Sequence, residues 1–249
     1  MVKVRKILFL ILFSFFVGAY FTKSGYKNVT QIMPEVTRAP IQTQTSASEK
    51  IVFTKGGYKY ELTPLYDYVI SALIVSRMNY GWFSAVKVNK IFPVDLCLLW
   101  GSNVSSGLYR NKSINFSQDG RWYYVRWYGD IKFNFEEAAN NHLIIKEKGL
   151  LRKVKNLSRG DQVKIKGMLV NVRAANLGES DILNPESLTW NSSTTRSDSG
   201  AGACEIIYVR DVEVLKKANP LSHYLYTLSY YGLLILIAWS IIDFFAKPI

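Results

Sequence analysis

The chain has 249 residues, a formal net charge of +12 and 14% aromatic side chains. This aromatic content excludes a wholly disordered tether, and two cysteines, Cys97 and Cys204, exclude a disulfide-stapled miniprotein. The basic balance points to an anionic lipid surface, or to solubility alone, ahead of nucleic acid.

Lys3, Arg5 and Lys6 precede an apolar run, Ile7–Phe21. A cleavable signal peptide has this layout, with Val17-Gly18-Ala19 as a small-residue site, but the aromatic-heavy run favours a retained anchor over residues 1–22. Residues 23–50, with Pro34, Pro40 and a Gln/Thr/Ser run, have the composition of a flexible linker.

Residues 51–220 are strand-rich. Ile51–Thr54 and Tyr58–Leu62 flank Lys55-Gly56-Gly57, a hairpin signal. Tyr68–Ser76 and Ile91–Trp100 are apolar runs suited to buried strands, while the stretch between Asn79 and Lys90 is ambiguous. Gly120–Gly129 is an aromatic strand in which Trp122, Tyr124, Arg126 and Tyr128 share a face. Phe135–Ile144 and Leu150–Leu157 are expected as short helices. Gln162–Val172, Leu188–Thr194 and Ala203–Leu215 complete the strands. Gly167 interrupts the alternation of the first of these, as a glycine does where a strand bends. The expected fold is mainly β with short helices (α+β), built on a small OB-like β-barrel.

Residues 221–249 are expected to form a C-terminal transmembrane helix. Tyr224, Tyr226, Tyr230 and Tyr231 lie toward one end and Trp239 toward the other, with Asp243 the single charge between Tyr224 and Ala246, placed to reach headgroup water. The positive-inside rule puts Lys3, Arg5, Lys6 and Lys247 in the cytoplasm. The expected topology is therefore two spans of the inner membrane, N-in and C-in, with the domain periplasmic. Lys216 and Lys217 argue mildly against it.

The motifs VDLCLLWG, SQDGRWYYVRW, NNHLI, RGDQVKIKGMLV and SSTTRSDSGAGACEIIYV, between Val94 and Val209, give the chain a resemblance. It resembles a family of uncharacterised bacterial membrane-anchored proteins. The likeness extends over Tyr60–Val214 and implies an architecture, not a reaction. In that family a small residue usually stands at the position of Cys97, which argues against a structural Cys97–Cys204 disulfide.

Cys204 is a candidate nucleophile and His142, the single histidine between the terminal segments, a candidate base near neutral pH. Arg196 offers a fork for a carboxylate or phosphate, and Asp198 or Glu205 an orienting carboxylate. Backbone N–H groups of Gly200–Ala203 are candidate oxyanion donors. The plainer reading is an Arg–Asp pair that pins the glycine-rich loop to the barrel, with Cys204 a small core residue. Arg126 and Trp122 are candidate binding residues on the aromatic strand. No metal-ligand spacing is present and no cofactor is expected. The sequence favours a non-catalytic membrane-anchored binding or assembly module of an envelope complex, its partners being membrane lipid and another membrane protein. The alternative is a membrane-tethered hydrolase or transferase using a Cys204–His142 dyad.

Overall fold

Gly56 and Gly57 take φ values of +60° and +85°, the left-handed pair that a tight two-residue hairpin requires. They join β2 (Ile51–Lys55) to β3 (Tyr58–Asn79), as expected. The computed structural model describes residues 2–80, 87–198, 200 and 202–245. Within it the remaining elements are α1 (Val2–Thr22), β1 (Ile41–Gln44), β4 (Val94–Leu99), α2 (Gly101–Ser105), β5 (Ile114–Asp119) and β6 (Trp122–Trp127). They are followed by β7 (Ala138–Ile144), α3 (Lys148–Lys155), β8 (Gln162–Asn176), β9 (Ser187–Trp190), β10 (Glu205–Lys216) and α4 (Pro220–Phe245).

The fold is α+β, with one large sheet and two terminal apolar helices. Strand β3 carries β2 and β1 on its early and middle stretches and β4 on its last. Its other edge pairs with β8 from Tyr58 to Leu73. From β4 the ladder passes to β7, then in parallel to β10, then to β8, and so back to β3. Extra residues in β3 at Leu65 and Val75 bend the strand. Gly167 lies against β10 so closely that a Cβ would sit 2.3 Å from the Tyr208 carbonyl oxygen. Its place in the expected strand is thus set by a close backbone approach.

The core between these strands is built from Ile70, Ile74, Leu96, Leu98, Ile165 and Ile207, with Leu150 and Val154 of α3 packed against it. Helix α3 starts at Glu147, whose carboxylate accepts from the backbone N–H groups of Gly149 (2.7 Å) and Leu150 (2.9 Å). The hairpin β5–β6 forms a separate two-stranded sheet.

Two expectations are corrected. Phe135–Ile144 is not a helix: a single 3-10 turn, Phe135–Glu137, leads into β7. Pairing on both edges, with β4 and β10, overrides the helix-forming Glu-Glu-Ala-Ala composition. The stretch 23–50 is not a free linker. Tyr26, Val29 and Val36 are buried beside Leu73, Val75 and Phe116, and burying a side chain such as Val36 contributes about 1.5–3 kcal/mol. The Tyr109 hydroxyl donates to the Val29 carbonyl (2.6 Å), and Gln162 bonds both Met33 N (2.7 Å) and the Gln31 carbonyl (2.8 Å).

Helices α1 and α4 are each long and apolar enough to cross a membrane, over Val4–Thr22 and Pro220–Asp243. They pack antiparallel. Arg5 ion-pairs with Asp243 at one end, while Thr22 Oγ1 and Ser222 Oγ lie 2.9 Å apart at the other. Asp243 therefore meets a cation on the partner helix, a pairing its position in the sequence did not suggest. Lys247 lies outside the described residues.

Candidate active site

A strand alternates its side chains between two faces. On β4, Asp95 and Cys97 share a face, and their register partners on β7 are His142 and Asn140. Cys204 stands one residue before β10, whose Glu205 pairs with Asn141, so it falls beside Asn140 and His142. Three strands distant in sequence thus bring a thiol, an imidazole and a carboxylate together.

Asp95 is completely buried. A buried carboxylate needs compensating charge and hydrogen bonds, and it has both. Arg121 Nη1 reaches both its oxygens, at 3.0 and 3.1 Å. The Tyr80 hydroxyl donates to Oδ2 at 2.7 Å, and His142 Nδ1 lies 2.9 Å from the same oxygen. Arg121 comes from the β5–β6 turn, beside Gly120 at φ +56°. Its guanidinium lies 4.0 Å from the Tyr80 ring centre and 4.9 Å from that of Phe92. The hairpin tip is thereby fixed over the face that carries the site.

Cys204 lies beside His142 through the register of β10 with β7, and it acts electrostatically on the imidazole. Since Asp95 takes Nδ1, Nε2 is the nitrogen left for the thiol. Burial alone would lower the His142 pKa. Its interactions with Asp95 and Cys204 outweigh this and push it up to about 9. His142 is consequently a cation at neutral pH.

Asn140 is the fourth member. Its Nδ2 donates to the Arg121 carbonyl (2.8 Å) and lies 3.6 Å from Cys204 Sγ. Its Oδ1 accepts from Gln118 Nε2 (3.1 Å) and from Cys97 Sγ (3.8 Å). Both cysteines are free. Cys97 is wholly buried, and burial together with the Asp95 charge pushes its thiol pKa well up, which leaves it inert. Cys204 is partly exposed.

The other residues expected in a site lie elsewhere. Glu205 follows Cys204, so its side chain takes the opposite face. There it is buried and ion-paired with Arg196. Arg196 Nη2 also donates to the Tyr68 hydroxyl (2.7 Å), and its guanidinium lies 5.3 Å from the Tyr68 ring centre. Arg196 is thus committed to pinning its loop, which overturns the expectation that it holds an anionic substrate. The pinning carboxylate is Glu205, while Asp198 is exposed. Of the glycine-rich loop, Ser199 and Ala201 lie outside the described residues, so the Gly200–Ala203 oxyanion expectation falls partly there. Trp122, Tyr124 and Arg126 form an exposed face of β6, with Arg126 5.1 Å from the Tyr124 ring centre.

Sequence reasoning named Cys204 and His142 as candidates and did not name Asp95, Asn140, Arg121 and Tyr80, which the structure places around them. One signal was present: a lone aspartate inside the apolar run Val94–Leu99 demands a buried partner. Among the described residues no group of three or more His, Cys, Asp or Glu side chains is arranged to hold a metal. No family model, curated protein or solved structure matches the chain.

Proposed function

We propose that the chain is a membrane-tethered thiol enzyme of acyl transfer, a hydrolase or transferase. The observation that carries this reading is the placing of Cys204 beside His142, whose Nδ1 stands 2.9 Å from buried Asp95. Such a triad needs a nucleophile, a base and a group that orients the base. In this scheme the proton of the Cys204–His142 pair rests on the imidazole, and the thiolate sulfur attacks a substrate carbonyl. Asn140 Nδ2, 3.6 Å from the sulfur, donates to the oxyanion that forms. Collapse expels the leaving group, which takes the proton from His142. The resulting thioester passes its acyl group to water or to a second nucleophile, with His142 as base. Asp95 holds the imidazole and stabilises its cationic form throughout.

The five strands β3, β4, β7, β10 and β8, whose pairing returns to its start, support an OB-like barrel as the platform. The antiparallel pairing of α1 with α4 supports two spans with both ends on one side, and the N-terminal lysines favour N-in and C-in. On that reading the domain is extracytoplasmic.

The test is alkylation of the full chain in detergent by iodoacetamide, read by mass spectrometry. Cys204 is expected to react and Cys97 to stay unmodified until unfolding. A folded His142→Gln variant should label at Cys204 about tenfold more slowly at neutral pH, since a thiol without a base is only a few per cent ionised. An unchanged rate would remove the enzyme reading.

One observation favours a second reading. Trp122 is 51% exposed and Tyr128 84% exposed, on and just after the outer strand of the β5–β6 hairpin. Such an aromatic surface suits a non-catalytic assembly module that binds another membrane protein. That reading expects Trp122→Ala to abolish partner crosslinking while Cys204→Ser does not.

A further inference from the structure

Both membrane helices enter the domain at a single turn, Ser158–Asp161. Gly25, just after α1, donates its N–H to the Arg159 carbonyl (2.9 Å). Ala218, just before α4, donates its N–H to Asp161 Oδ1 (3.0 Å). Between this turn and the helix pair lies a cavity of about 760 Å³. Five cations line it, Lys23, Arg77, Lys155, Arg159 and Lys217, and no lining residue is acidic.

The cations are unevenly neutralised. Lys217 is paired with the nearby buried carboxylate, Asp161, at 2.8 Å. Arg77 and Arg159 bond backbone carbonyls, those of Lys155 (2.9 Å) and Val75 (3.0 Å), which leaves their charge standing. Lys23 lies over the Tyr226 ring, 3.3 Å from its centre. Burial, and then the Arg77 charge, lower its pKa, as expected where like charges crowd a site with no anion in it. His223 also lines the cavity, and its Nε2 is buried without a hydrogen-bond partner. Tyr20, Tyr226 and Tyr231 form the apolar side of the same cavity, at the ends of the two apolar helices. A ligand that fits must carry concentrated negative charge on one side and meet aromatic rings at a hydrocarbon boundary on the other.

We infer that this collar is a binding site for the phosphate of an anionic phospholipid headgroup. Arg77, Arg159, Lys23 and Lys155 supply the charge, and the tyrosines receive the glycerol and upper acyl region. The site is separate from the thiol, and its standing does not depend on the enzyme reading.

The full chain in nanodiscs of phosphatidylcholine, with or without phosphatidylglycerol, tests this by native mass spectrometry of the lipids it retains. Phosphatidylglycerol should be retained in preference to phosphatidylcholine. A Lys23→Gln/Lys155→Gln variant should lose roughly fivefold in that preference for each cation removed, and the charge-keeping Lys155→Arg should keep it. Inorganic phosphate should displace the lipid poorly. Equal retention of both lipids by the wild type overturns the inference without any variant. Displacement by inorganic phosphate at low concentration overturns the lipid and leaves a soluble phosphate as ligand. An unchanged preference in the double variant overturns the assignment to this collar.

Discussion

Cys204 and Glu205 are neighbours in the chain, and each belongs to a buried charged cluster on its own side of β10. Glu205 is closed off by Arg196 and Tyr68, so cation and carboxylate are taken up by each other. On the other side Asp95 holds Arg121, Tyr80 and His142, and His142 stands beside the partly exposed Cys204. The clusters use the same chemistry of desolvated ion pairs. They differ in where the chain of contacts stops. One ends in the core, and its function is to fix a loop. The other ends on Cys204, a partly exposed thiol.

The largest expected effect falls on the closed cluster. Glu205→Ala leaves Arg196 half-buried beside Tyr68 with no counter-charge, and the loss of stability in chemical denaturation should be about 3–5 kcal/mol. Cys204→Ala should change stability by less than about 1 kcal/mol while removing all fast thiol labelling. If the two substitutions cost the same stability, the distinction between the clusters fails.

A second effect is pH-dependent. The folded pKa of His142 is raised, from its ordinary 6.5 to about 9. The stability it contributes is therefore fully present below pH 6.5 and is lost as the pH climbs through about 9. The stability difference between wild type and His142→Gln should shrink over that window. The difference between wild type and Arg196→Gln should not change there, because Arg196 and Glu205 lie outside the His142 cluster. Parallel curves would sever His142 from Asp95.

The smallest effect is expected at the exposed face of β6. Arg126→Ala should move stability by no more than about 0.5 kcal/mol, since the residue touches only the Tyr124 ring at the surface. A larger loss would mean that the hairpin face is part of the fold's support.

Local chemistry was legible in the sequence wherever it was dictated locally. The Lys55-Gly56-Gly57 turn, the apolar runs that became β3 and β4, α3, and the two apolar termini all follow from short-range pattern. The thiol and imidazole were named as candidates by residue type alone. Asp95 was hidden because its meaning depends on register: only the pairing of β4 with β7 sets it opposite His142. Arg121 was hidden because it acts from a hairpin tip folded back over the sheet. The stretch 23–50 looked like a tether because Pro, Gln and Thr dominate it. Three apolar side chains, Tyr26, Val29 and Val36, suffice to dock it once a matching surface exists.

The turn at Ser158–Asp161, where both helices join the domain, has a mechanical consequence. A catalytic head on one flexible stalk samples a hemisphere of orientations and a range of heights. A head bolted at two points of one turn, on helices clasped by Arg5 and Asp243, has neither freedom. On the proposed reading the distance from bilayer to Cys204 is a fixed gauge, and targets would be sorted by how far their reactive bond stands from the lipid.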